Sequence, residues 1–192
     1  MKTSSRWIIL VAALLLIPAL FVPLWQILLW APQYPEWLSM KIWIDNITGD
    51  VRTINALNHY VGMKQINLSM FPEFAYMKYI VMGMAAFGIL TALLKSIWSL
   101  RIYFFLFVVA ATAALYDYYQ WSYKYGHELD PTAPIQVPGM VYQPPLLGTK
   151  QLLNFTAYSG PDIGSWFFIV SGVLVFVVLI IETRRNLKAK AK

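Results

Sequence analysis

The sequence predicts an all-α membrane protein: a four-transmembrane-helix bundle, both termini cytoplasmic, with a small extracytoplasmic cap built from two long loops. Three observations predict it. Four charge-poor apolar runs are each long enough to cross a hydrocarbon core of about 30 Å, or close to it. Only 12% of the residues are charged, against about 25% in soluble domains. Lysine and arginine also fall unevenly on the segments that join the runs.

Residues 7–30 carry no charge and would make about 36 Å of helix. The run is longer than the roughly 7–15 apolar residues of a signal peptide and lacks a small-x-small cleavage site, so it reads as an uncleaved anchor. Pro18 and Pro23 predict a kink in its second half. The second span is 74–94, opening after Pro72, a residue tolerated in a helix's first turn. The third is 102–121, ending in a belt of Tyr116, Tyr118, Tyr119 and Trp121, where amphipathic rings meet the membrane surface. The fourth is 165–181, and the whole chain, 1–192, reads as one membrane domain.

Charge sets the orientation. The N-terminus, the 95–101 turn and the C-terminal tail hold Lys2, Arg6, Lys95, Arg101, Arg184, Arg185, Lys188, Lys190 and Lys192, against the single acid Glu182. Four spans put these segments on one side, and the positive-inside rule makes that side cytoplasmic. The basic excess is thus accounted for by the bilayer, and no nucleic-acid partner is implied. The loops 31–73 and 122–164 then lie outside the cytoplasm. In the first, Leu38–Ile44 alternates as a short strand, Ile47–Asp50 reads as a turn and Val51–Tyr60 as a short helix. The second, rich in proline and glycine, reads as ordered but irregular.

Cysteine is absent, which removes disulfides, thiolate metal sites and cysteine nucleophiles. No phosphate-cradling glycine loop, H-E-x-x-H pair or G-x-S-x-G elbow occurs. The sharpest chemical signal is His59 with Met63 four residues on. On one helix the two share a face, and an imidazole with a thioether suits reduced copper. Gly62, between them, is a residue that ends helices. Met70, Asp117 and His127 are the further candidate ligands. Asp117, near the outer end of the third span, is also a functional candidate by its depth, unless Lys78 or Lys124 simply pairs with it. The short turn between the second and third spans predicts that those helices pack as neighbours.

The segments L-N-H-Y-V-G-M (57–63), Y-G-H-E-L-D-P (125–131) and P-G-M-V-Y-Q-P-P-L-L-G-T-K-Q-L-L-N-F-T-A-Y-S (138–159) resemble a family of small four-span bacterial membrane proteins. Its members are found beside nitrous oxide reductase maturation factors. The resemblance implies an inner-membrane protein with periplasmic loops, in a setting where copper is delivered to a reductase. It supplies no catalytic residues. Three functions follow as expectations. One is an accessory protein handling copper on the periplasmic side for reductase maturation. Another is a metal-free docking subunit that holds a periplasmic or membrane protein. The third is a membrane enzyme or quinone-handling subunit using Asp117. A docking subunit would expose aromatic residues near Tyr116–Tyr125 or Tyr142–Leu147; a copper site would gather three or four donors at one point.

Overall fold

Residues 1–190 are described by the structure, a computed structural model; Ala191 and Lys192, the end of the predicted basic tail, lie outside the described residues. The helices are α1 (Thr3–Leu14), α2 (Val51–Val61), α3 (Met77–Leu94), α4 (Ile97–His127) and α5 (Ile163–Lys190). The strands are β1 (Trp25–Trp30), β2 (Leu38–Ile42), β3 (Ile47–Gly49), β4 (Gly148–Leu152) and β5 (Phe155–Pro161). Four helical segments are long and apolar enough to cross a membrane: Thr3–Phe21, Met77–Leu94, Ile97–His127 and Ile163–Ala189. Multi-pass membrane insertion is therefore compatible with the fold.

The all-α expectation is overturned. The strands form one antiparallel sheet in the order β3-β2-β1-β5-β4, so the chain is a mixed α/β fold. The first correction lies inside the supposed span 7–30. Helix α1 ends at Leu14, a 3₁₀ turn follows at Pro18–Phe21, and residues 25–30 become the sheet's central strand. Pro18 ends the helix here, where a mere kink was expected, because it lacks the N–H that would reach the Leu14 carbonyl, and Pro23 follows the 3₁₀ turn. Ile47–Gly49, expected as a turn, is β3, and the turn falls instead at Trp43–Asn46, closed by a 2.8 Å bond from Trp43 N–H to the Asn46 carbonyl. The loop 122–164 contains the end of α4 and the β4–β5 hairpin. That hairpin turns on Leu153 and Asn154, with Leu153 at φ +56°. Expectations that hold are β2, α2 and the pairing of α3 with α4.

In the bundle α1 packs on α3 and α5, and α4 closes the ring against the same two helices. Ile9, Leu16, Leu100, Tyr103, Val175 and Val178 are fully buried there. Met84 is buried among them and Met77 packs on the same core. At one end, the Met1 ammonium donates to the Lys95 carbonyl (3.2 Å) and Arg6 Nε to that of Ala92 (2.8 Å). Ser5 Oγ donates to Glu182 beside them, at 2.6 Å. The N-terminus, Glu182 of α5 and the α3–α4 turn therefore share the end opposite the sheet.

The sheet is joined rigidly to the bundle. Neighbouring strands β1 and β5 connect through short segments to α1 and α5, and these segments are stitched together. Asp162 N–H donates to the Leu24 carbonyl (2.9 Å), Gly164 N–H to that of Pro23 (2.8 Å) and Ser165 Oγ to Leu24 again (2.6 Å). Gly164 is needed there, because the space a Cβ would take is filled by Leu24 and the Pro23 carbonyl. Period-two alternation sends Trp25, Ile27 and Leu29 of β1 to one face with Leu38, Met40 and Ile42 of β2. That face is covered by α2 and by the outer turns of α4, forming a second core.

Candidate functional site

Helix α4 builds the site. Its 31 residues make about 46 Å, about 16 Å more than a hydrocarbon core. Asp117 lies about 30 Å along it from Ile97, so in a helix that enters the core at Ile97 the turns beyond Asp117 would project out of the bilayer. Their buried side carries Tyr118, Trp121 and Tyr125 against the sheet. Tyr118 and Trp25 lie with centroids 5.5 Å apart, and both bond the buried Ser159 hydroxyl, at 2.7 and 2.8 Å. Trp121 stacks on Tyr125 at 4.8 Å and meets Phe71 at 5.3 Å. Tyr125 accepts from Asn58 of α2, which ties the two outer segments across the cap.

Between this aromatic wall, α2 and the sheet lies a cavity of about 70 Å³. Its lining is almost wholly apolar and includes Ile27, Met40, Ile54, Met63 and Phe155, with Trp121 and Tyr142. Tyr142 is 3% exposed, and burial pushes its phenol above the ordinary range. Its segment lies directly on α4: Tyr142 N–H donates to the Gly126 carbonyl at 3.0 Å, and the Gln143 backbone fills the place of a Gly126 Cβ.

The opposite side of α4 is bare. Tyr116, Tyr119 and Tyr123 are exposed at 63, 44 and 44%. Tyr119 lies 6.2 Å from Tyr123 with its ring tilted, and Tyr123 stacks on the His127 ring at 3.9 Å. These rings form an aromatic ridge continuous with Ile102, Phe105, Val109 and Leu115, exposed apolar residues of the same helix.

The predicted metal ligands are not brought to one point. Gly62, at φ +80°, ends α2 and turns the chain, so His59 and Met63 do not share a helix face. His59 is exposed over a shallow groove with Arg52, Asn55 and Gln65, whereas Met63 lines the apolar cavity. Met70 packs into the same core as Met63. The His127 ring pairs its Nδ1 with the Tyr123 carbonyl at 2.8 Å. Among the described residues, no three His, Asp or Glu side chains gather as a metal-binding group.

The two outer loops do meet. Asp130 N–H donates to the Gly62 carbonyl (2.8 Å), Ile135 N–H to that of Tyr60 (2.9 Å), and Lys64 pairs with Glu128 at 2.5 Å. The Lys64 ammonium holds the Glu128 carboxylate below its usual range. The Thr132 hydroxyl and N–H, then His59 more weakly, do the same for Asp130.

Asp117 is exposed and faces Glu73; Lys78, its expected partner, reaches Asp45 instead at 3.9 Å. Burial first, and then the Asp117 carboxyl, hold the Glu73 carboxyl above the usual range. A raised carboxyl contributes stability in acid, and that contribution is lost as pH rises through the folded-state value. Glu73→Gln should therefore melt higher than the parent near pH 7 and together with it near pH 3.5, below the ordinary range of about 4.3. Melting curves across that interval check this; an equal difference at every pH would refute it.

Sequence reasoning missed Trp25 as a site residue, and it expected Tyr125 and Tyr142 within exposed patches, where the structure buries both. No alternation marks W-Q-I-L-L-W as a strand, because Gln26 is its one polar residue. Comparison with family models, with curated proteins and with solved structures finds no match to this chain.

Proposed function

We propose that this protein is an accessory subunit of the bacterial cytoplasmic membrane, its cap in the periplasm, that docks a second membrane-embedded protein along α4. The observation that carries the reading is the exposed ridge of Tyr116, Tyr119, Tyr123 and His127. Exposed tyrosines of this kind are enriched at protein interfaces and anchor them. The ridge continues an apolar stripe on the membrane-crossing part of α4, so the fitting partner is a helix that itself crosses the bilayer and extends beyond it. The basic excess at the end opposite the cap supports the orientation. In the setting the family resemblance implies, the partner belongs to the machinery that matures nitrous oxide reductase.

A photoactivatable residue at Lys124, beside the ridge, should cross-link a membrane protein in native membranes. Tyr119→Ala with Tyr123→Ala should cut that adduct about tenfold or more, the size expected for two interface anchors. Both rings are exposed, so the melting temperature should stay put. An unchanged adduct would remove the docking reading. A copper-handling reading is favoured by one observation, the contact between the loops that carry His59 and His127. Stoichiometric Cu(I) in the parent, lost in both His59→Ala and His127→Ala, would put it in place of docking.

A further inference from the structure

We infer that the cavity between the sheet, α2 and α4 binds a neutral lipophilic carbonyl compound taken from the bilayer, a ligand separate from the docked protein. The cavity of about 70 Å³ is several times the roughly 10–15 Å³ that a single water needs. A water also needs two to four polar partners; Asn58 and Tyr125 in this lining already bond each other, which leaves two polar groups. Trp121 Nε1 and the Tyr142 hydroxyl, both on its wall, are buried without any hydrogen-bond partner. An indole N–H can only donate, so what satisfies it must present an acceptor. No Asp, Glu, Lys, Arg or His lines the cavity, which leaves a charged headgroup uncompensated and excludes carboxylates, phosphates and amines. What remains is an apolar body bearing C=O, as in a quinone ring or a lipid ester. Such molecules dissolve in the bilayer, and α4 carries Trp121 just one turn beyond Asp117, where the hydrocarbon core ends.

The full chain in detergent, with its indole nitrogens labelled with ¹⁵N, tests this; Trp121→Phe identifies the Trp121 N–H resonance. Two probes are titrated separately, duroquinone and methyl hexanoate. One or both should shift that resonance saturably, and the probe that does so tells the quinone source from the ester source. Tyr142→Phe should weaken the apparent affinity about five- to tenfold, the loss of one hydrogen bond. It should leave the melting temperature of the ligand-free protein unchanged or higher, since the hydroxyl it removes has no partner. Ala157→Val, which puts two methyl groups on the cavity wall, should abolish the shift. No saturable shift with either probe overturns the proposal. So does equal affinity in Tyr142→Phe, or a lower melting temperature of that variant, which would mark a water-filled site.

Discussion

Gly88→Leu is expected to unseat α1 from the bundle. Gly88 lies on α3 where α1 and α4 both press in. A Cβ there would stand 2.7 Å from Ala13 Cβ and 2.6 Å from Tyr103 Cζ, well inside contact distance. Around it the buried faces are lined by other small residues, Ala12 and Ala13 of α1 and Ala85 and Ala92 of α3. Close approach of this kind holds helices together in lipid, where no hydrophobic difference separates helix from solvent. Overpacking costs about 1–3 kcal/mol, and a branched side chain here belongs at the top of that range. In a chain of this size such a loss lowers the melting temperature by roughly 6–12 °C. Gly83 on the same helix has open space around it, so Gly83→Leu should melt like the parent. Equal shifts in the two variants would mean that helix propensity, and not packing, decides the outcome.

Glu182→Ala should have a comparable effect at the basic end. Glu182 is the single acid among the nine basic residues counted on that side, and it is only 4% exposed. Its Oε1 accepts from Ser5 Oγ at 2.6 Å, Arg185 Nη1 at 2.8 Å and Lys2 N–H at 3.2 Å, and the terminal ammonium stands 4.0 Å from Oε2. Removing one partner of a buried ion pair costs about 3–5 kcal/mol. Arg185 keeps two-fifths of its side chain in solvent, which places the expected loss at about 3 kcal/mol. The Ser5 hydroxyl, buried between α1 and α5, would be left without its acceptor. Glu182→Gln keeps an acceptor oxygen and should recover part of the loss. Melting of the three proteins in detergent reads this, and a chemical cross-link between the Met1 amine and Lys95 should weaken only in the alanine variant. Unchanged melting in Glu182→Ala would show the network to be incidental.

Some of this was legible along the chain. Hydropathy over a window of about 20 residues is a local sum, so the four apolar segments could be found without knowing what they touch. The uneven placement of Lys and Arg is local in the same way, and the contacts of Met1, Arg6 and Glu182 gather those segments at one end. Alternation in Leu38–Ile44 and the short helix at Val51–Tyr60 were readable too, because each element's period is internal to it.

The sheet was not legible, and the reason is physical. Trp25–Trp30 is apolar enough for lipid, and it becomes a strand because α1 stops ahead of Pro18 and β5 pairs with it. Trp25 aligns with Pro161, far away in sequence, so no window along the chain contains both partners. His59 and Met63 part for a related reason. Spacing placed His59 and Met63 on one face, but the left-handed turn at Gly62 sends one to solvent and the other inside. Local composition and charge suffice for partition into a bilayer, a property of each segment alone. The cavity and the aromatic ridge arise from long-range pairing: Asn58 with Tyr125, Gly126 with Tyr142, β1 with β5. Those pairings exist only once the chain has closed on itself, because each is an interaction between surfaces that the other segments have first brought together.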